Sequence, residues 1–439
     1  MNTQTGRTYN LLKTAKSWAG LNKDPGSMAS VLVLAAVVSS LVSVAASGIF
    51  LGLGIVAWIV DRAGKRRMVL KEVPFRWYLF LFLALTALSA VLSVEPLRDT
   101  LHMKSCIKFV IPFLLITYMT ENQARKALFW IFGIAGVSMA WGLIQFLTSD
   151  GVNLLDRIDG FMSHWMTYSG QMMMVLVASA AWGVGMLRSS RGGRRLLSIP
   201  WFLFSALMAG VLVLTYTRSA WGGALGGLGV LVLLNLRPRW LLVLLAGVVI
   251  AFFLMPASVQ DRLASGFDPA DTTTRGRLDI WQSGIRVALE NPFTGVGYSS
   301  VPAESLKFRE ETDLPEWAYQ HSHNNLIQVA ATSGIPSLLA WLALWLKIAW
   351  DFFRIWRRDR KDVFVSVQAA GGLAVLAAFH LMGLLEFNFG DSEILMLLLF
   401  FVSIPYVLHR DFEARMAGET PGNGNPGHNS RRNELLEEV

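Results

Sequence analysis

Between Met28 and about His409 the chain keeps returning to apolar stretches long enough to cross a bilayer. A hydrocarbon core of about 30 Å is spanned by ~20 helical residues, and inside it every backbone N–H and C=O must find a partner within the protein. Only helices and closed barrels meet that demand. Barrel strands would alternate polar and apolar at period two, whereas these runs are continuous. Hydrophobic residues make up 53% of the 439 and charged ones 16%, against ~25% charge in a soluble domain. Soluble, fibrous and disordered classes are therefore excluded along with barrels. The fold class expected is all-α: a polytopic integral membrane protein of about twelve transmembrane helices, with one large, partly helical loop outside the bilayer.

Spans are expected near 29–43, 45–60, 75–93, 107–119, 128–148, 170–187, 198–216, 219–235, 240–256, 324–349, 365–385 and 393–408. Met28 to Val60 is one apolar block, long for one helix and short for two; Gly48, Gly52 and the small residues Ala45 to Ser47 favour a tight hairpin inside it. The organisation is then an N-terminal tail over 1–27, nine spans over 28–256, the large loop over 257–322, three spans over 323–409 and a tail over 410–439. Most of the 39 Lys and Arg fall in alternate short loops and the tails, Lys65-Arg66-Arg67 and Arg357-Arg358-Asp359-Arg360-Lys361 among them. Positive charge marks the cytoplasmic side, so both termini are expected there and the large loop outside. A net charge of +8 spread this way builds no basic groove, and no nucleic-acid partner is implied. Gly418 to Val439, rich in Gly, Asn and Pro, reads as disordered, and no signal peptide is expected in the polar first 27 residues. The single cysteine, Cys106, makes no internal disulfide, and no Cys/His cluster suggests a metal.

Three polar segments stand out on the outer side. Arg218 sits in a turn so short that its charge is held at the membrane boundary. It is either an interfacial snorkel between Tyr216 and Trp221 or a fixed cation for an anionic headgroup. In the large loop, Asp271 to Glu290 reads as an amphipathic helix with Leu278, Trp281, Ile285 and Leu289 on one face. An N-cap at Thr273 or Thr274 puts Arg275 and Arg277 in the first turn. Cations there oppose the helix dipole. That points either to an anion site built from guanidinium forks and free N–H groups, or to a salt bridge with Asp268, Asp271 or Asp279. Third, His321, His323, Asn324 and Asn325 crowd the start of the tenth span. The two histidines lack the carboxylate neighbours of a metal site, but an imidazole with an ordinary pKa of about 6.5 suits general acid or base work.

In this order and on this side, the three segments together resemble the O-antigen ligase family of bacterial envelope glycosyltransferases, within the wider group that includes O-antigen polymerases. The resemblance rests on Thr217-Arg218-Ser219-Ala220-Trp221; on Arg277-Leu278-Asp279-Ile280-Trp281 followed by Asn291-Pro292-Phe293-Thr294-Gly295-Val296-Gly297; and on His323-Asn324 followed by Gly334-Ile335-Pro336. Ser337 stands where relatives often carry another Gly. The strong match covers about Tyr216 to Trp341.

The family resemblance implies transfer of a completed polysaccharide to a sugar hydroxyl of lipid A-core, on the periplasmic face of the bacterial inner membrane. The partners implied are an undecaprenyl-pyrophosphate-linked glycan as donor, lipid A-core as acceptor, and membrane lipids. The residue chemistry fits this. Cleaving a sugar–pyrophosphate bond adds negative charge to the leaving group, which fixed cations stabilise. Arg218 and Arg277 are the candidates, with Arg275 able to replace Arg277. His323 is the expected base, its ring fixed by Asn324 or Asn325, with His321 secondary; Tyr216 and Trp281 join the candidates for substrate contact. No cofactor, nucleotide or metal is expected, because the pyrophosphate bond supplies the driving force. Other outer-facing groups rank lower: Glu95, Arg98, His102, Lys104, Asp156, Arg157, Asp159, His164, Glu386, Asp391 and Glu393. His380, near mid-span, is a stronger polar candidate because burial in lipid is costly; the alternative is that it only packs against Asn388 or serines of neighbouring helices. O-antigen polymerase and protein O-oligosaccharyltransferase stand as enzyme alternatives. A transporter, the rival of another class, would show internal repeats and mid-bilayer charge pairs.

Overall fold

A computed structural model describes residues 25–65, 72–149, 157–189, 195–254, 257–265, 272–309 and 314–418. Most of the N-terminal tail, the C-terminal tail beyond Gly418, and Asp156, Asp268 and Asp271 lie outside the described residues. Among those described, every regular element is helical.

Each expected span is occupied by a helix. In chain order these are α1 (Pro25–Ser39), α2 (Val44–Lys65), α3 (Arg76–Leu92), then α4 (Pro96–His102) running through a 3-10 stretch (Met103–Phe109) into α5 (Val110–Tyr118), α6 (Glu121–Thr148), α7 (Trp165–Arg188), α8 (Ser198–Leu214), α9 (Arg218–Asn235) and α10 (Arg239–Leu254). The large loop carries α11 (Ala257–Ala264), α12 (Thr272–Glu290), α13 (Val301–Leu306) and a 3-10 turn (Glu316–Gln320). It is followed by α14 (Asn325–Arg358), α15 (Val363–Gly383) and α16 (Ser392–Met416). Among the described residues, seven helical stretches are long and apolar enough to cross a membrane, and α1, α3, α8 and α10 are apolar over shorter lengths. The chain is a multi-pass helical membrane protein.

Several boundaries differ from the sequence expectation, and three of them have a visible local reason. The first hairpin turns at Ser40 to Ser43, not at Ala45 to Ser47, because serine hydroxyls satisfy both helix ends: Ser40 Oγ donates to Val37 O at 2.7 Å and Ser43 Oγ accepts from Ala46 N at 3.3 Å. Helix α6 begins at Glu121, well before residue 128, where Thr120 and Gln123 form a reciprocal capping box. Helix α16 continues to Met416, where the Asp411 carboxylate accepts from Glu121 N at 2.7 Å and Arg410 donates to Met119 O at 2.5 Å.

The core is built around α7 and α16, each about 89% buried over its apolar window, with α15 beside them at 72%. Small residues let α9 lie directly on α15: a Cβ at Gly223 would come within 2.7 Å of Ala378 O, and one at Gly227 within 2.7 Å of Ala374 O. That contact fixes the N-terminus of α9, which bears Arg218, against the end of α15.

Helix α14 is broken at Gly334, where φ is 81° and ψ 169°. Pro336 has no N–H to offer the carbonyl of Thr332. Gly297 N donates to that carbonyl at 3.0 Å and Ser89 Oγ at 3.1 Å, while Val296 N donates to Ala331 O at 2.9 Å and Ile335 N to Pro292 O at 2.7 Å. Residues 291–297 thus complete the break with main-chain hydrogen bonds. Only glycine fits at this crossing: a Cβ on Gly334 would stand 2.4 Å from Phe293 O, and one on Gly295 would stand 2.4 Å from the Thr332 backbone. The two glycine-bearing motifs therefore join the large loop to the piece of α14 that begins beside His323.

Candidate active site

The site lies at the loop end of the bundle, where α9, α12, α14 and the turn after α15 converge. Among the described residues, two non-glycine residues have positive φ, Tyr216 at 52° and His323 at 45°. Each precedes a helix that starts at the site, and each holds a conformation costing of order 1–3 kcal/mol. The surroundings hold them there. Trp221 Nε1 donates to Leu212 O at 2.9 Å, tying the first turn of α9 back to α8. Asn324 caps α14, accepting from Leu326 N at 2.8 Å and Ile327 N at 3.2 Å, and donates to Leu384 O at 2.9 Å. Ser322 N donates to Gln328 Oε1 at 2.7 Å.

Glu386 is the centre of the arrangement. Its side chain is 4% exposed and accepts from both Arg277 and His323, the latter through Nδ1 at 3.0 Å. An ionised carboxylate only accepts, so Nδ1 carries a proton, and in the neutral form of the ring Nε2 keeps its lone pair. His321 packs beside it, with ring centroids 4.2 Å apart and the rings tilted by 60°. Burial, with His323 adding to it and Glu386 opposing, pushes the pKa of His321 down to about 4, so that ring is neutral.

Two further cations share this patch. Burial lowers the pKa of Arg157, and the guanidiniums of Arg218 and Arg277 lower it further against the pull of Glu386. Arg157 lies over the ring of Trp165 at 4.8 Å. Arg218 donates to Ser265 Oγ at 3.1 Å and Arg262 O at 3.3 Å, so it reaches toward α11 and not simply outward to water. His164 caps α7 through Nδ1; burial lowers its pKa, and Glu386 and Asp391 oppose the shift. Arg277 thus pairs with a buried glutamate that also acts on Arg157, and Arg218 and Arg277 both act on Arg157, so three guanidiniums gather beside the two imidazoles.

Several expectations need correction. Helix α12 already includes Thr272, so Arg275 is its fourth residue, at the end of the first turn, and Arg277 its sixth, beyond that turn. The threonine run is part of the helix and not its cap. Arg277 pairs with Glu386 and not with Asp279, which is bonded to Tyr319; Arg275 is exposed. The face carrying Leu278, Ile285 and Leu289 is outward, at 56%, 45% and 65% exposure, while Gly276, Ser283, Gly284 and Val287 are buried. Small residues inward and large aliphatics outward suit a helix packed at a lipid boundary.

Neither asparagine fixes His323. Asn324 caps the helix, and Asn325 donates to Asn388 Oδ1 at 2.6 Å and accepts from Phe389 N at 3.1 Å; a carboxylate holds the ring instead. Tyr216 is buried at 3% exposure, and Trp281 is half-buried with no partner for its indole N–H among the described residues. His380 packs among Trp341, Trp345 and Phe379, not against Asn388, whose amide donates to Phe379 O.

Sequence reasoning ranked Glu386 and Arg157 low because loop charges are usually solvated. A signal for Glu386 was present: it stands between Leu384-Leu385 and Phe387, and a charge inside an apolar run is stable only when paired. Glu95 and Arg98, ranked with it, pair with each other at 3.2 Å in the open.

Residues 203–342 match the family described as O-antigen ligase. That segment holds Arg218, Arg277, His323 and both glycine-bearing motifs, and bears out the resemblance read from the sequence. The chain is also 28% identical over 206 residues to the exopolysaccharide production protein ExoQ of Rhizobium meliloti (strain 1021). The alignment covers 44% of this chain and 46% of that protein, so the chain spans under half the length of this curated relative.

Proposed function

We propose that the chain is a glycosyltransferase that moves O-antigen polysaccharide from undecaprenyl pyrophosphate to a sugar hydroxyl of lipid A-core, at the periplasmic face of the bacterial inner membrane. The observation that carries this reading is the buried Glu386, which holds His323 and Arg277, with Arg157 acted on by Glu386, Arg277 and Arg218 together. The match to the O-antigen ligase family supports the reaction class.

The step proceeds as one displacement. His323 Nε2 takes the proton of the acceptor hydroxyl as that oxygen bonds to the anomeric carbon. The bond from this carbon to the pyrophosphate oxygen breaks with inversion, and its electron pair leaves on the lipid diphosphate. Arg157, Arg218 and Arg277 stabilise the charge that develops there. Guanidinium forks suit the diphosphate oxygens in a way that a lysine ammonium does not. Glu386 keeps the imidazole in the tautomer that leaves Nε2 free. With fixed guanidiniums carrying the charge, the step is written without a metal or cofactor.

Purified protein in lipid, supplied with lipid-linked donor, lipid A-core and a chelator, tests the reading. His323→Ala abolishes transfer while the protein stays inserted. Arg218→Lys and Arg277→Lys each lose about 1.5–3 kcal/mol of charge-assisted bonding, or roughly 10- to 150-fold in rate. Normal transfer by all three variants removes the assignment.

A second reading is favoured by the printed name of the relative, an exopolysaccharide production protein: polymerisation, in which the acceptor is another carrier-linked glycan. Lipopolysaccharide gels of a deletion strain separate the two. Loss of a ligase leaves long polymer that never reaches the core, and loss of a polymerase leaves core capped with a single repeat.

A further inference from the structure

A cavity of about 290 Å³ opens on the far side of the turn that carries Glu386, between α3, α4 with its 3-10 continuation, and the upper part of α14. We propose that it is a pyranose subsite for the acceptor glycan; the assignment rests on the glycan-transfer reading above and adds a place for a sugar next to the reacting one.

The wall of the cavity leads to the reaction centre. Phe387 lines it, and the same ring packs against His321 with centroids 5.8 Å apart. Phe82 and Phe387 provide apolar surfaces for the C–H face of a sugar ring, and Tyr298, 44% exposed and 4.8 Å from the ring of His102, stands at the rim. The polar signal is Asp99. It is 3% exposed; Oδ1 accepts from Ser299 N at 2.7 Å, and Oδ2 is buried with no hydrogen-bond partner among the described residues. Gly297 makes room for that oxygen, since a Cβ there would stand 1.9 Å away.

A carboxylate oxygen needs a donor, and buried polar groups are almost always paired. Sugar hydroxyls are donors, and a pyranose also offers the apolar face that the aromatic walls fit. Lys108 also lines the cavity, but a phosphate oxygen is an acceptor and leaves Asp99 Oδ2 without the donor it needs, whereas a sugar hydroxyl supplies one. An acyl chain satisfies the walls but leaves Asp99 Oδ2 without a partner.

The test uses the full chain in lipid nanodiscs, with the core oligosaccharide freed of lipid A as probe. Asp99→Asn keeps the acceptor oxygen for Ser299 N and presents an N–H₂ in place of Oδ2. The expected result is that titration calorimetry shows saccharide binding weakened at least about tenfold in Asp99→Asn and several-fold in Tyr298→Ala. In transfer assays the acceptor KM rises to match while the donor KM is unchanged. Transfer with an acceptor KM indifferent to both substitutions overturns the subsite and leaves the ligase reading standing. Absence of transfer by the wild type, with Asp99-dependent saccharide binding retained, overturns the ligase reading and leaves the subsite. Displacement of the saccharide by simple alkyl chains, or equal rises in donor and acceptor KM, also overturns it.

Discussion

Replacing Glu386 by Gln keeps the shape of the side chain but removes its charge and one of its two acceptor oxygens. In the wild type these oxygens serve two donors, Arg277 and His323 Nδ1, from a side chain only 4% exposed. One oxygen remains in the variant, so one charge-assisted bond is lost and an amide N–H₂ faces a donor. Such a bond is worth about 1.5–3 kcal/mol. Arg277 reaches farther and carries a full charge, so the bond expected to go is that of His323. At 1.36 kcal/mol per tenfold, kcat falls about 10- to 150-fold. The affinity for donor moves the other way. The patch loses one negative charge among its three arginines, so the donor KM stays level or drops. Single-turnover transfer in nanodiscs, with donor concentration varied, reads both quantities, and a melting curve checks that the variant is folded. A kcat within twofold of wild type, or a loss expressed entirely as a higher donor KM, would refute the claim that this carboxylate orients the base.

Arg157→Ala removes the third cation and should raise the donor KM about tenfold, with little change in acceptor KM, in the same assay. Gly334→Ala forces a left-handed residue whose Cβ meets Phe293 O at 2.4 Å; it should cost at least about 2 kcal/mol, seen as a lower melting temperature and poor yield of folded protein. His321 gives a pH dependence. Its pKa is about 4 in the fold and about 6.5 when unfolded, so the unfolded chain binds the extra proton between those values. Stability is then complete above pH 6.5 and declines by up to ~3 kcal/mol as pH falls to about 4. His321→Asn should lack that portion of the decline in parallel melts.

The apolar runs announced the helices, because a bilayer leaves the backbone no other solution, and Arg218, Arg277 and His323 were legible as residues at odds with their surroundings. What stayed hidden was partnership. The sequence offered Asp268, Asp271 and Asp279 as neighbours for Arg277, whereas its partner, Glu386, comes from another helix end. Asparagines adjacent to His323 were the natural choice to hold its ring, yet Asn324 was already committed to capping α14. The outward face of α12 was misleading for a different reason: amphipathic patterns show which residues share a face, not whether water, lipid or protein lies on that side. The glycines of 291–297 marked a motif without showing its purpose, which appears only when the carbonyls left open by Pro336 are seen to be filled from that loop.

That broken helix also separates two mechanical regimes. Below Pro336, α14 is a shaft whose tilt must follow the thickness of the surrounding hydrocarbon. Above Gly334, the short piece leading back to His323 is sewn to the large loop through main-chain bonds, and its direction is set there. Membranes of different lipid composition can therefore lean on the shaft without misaligning the imidazole.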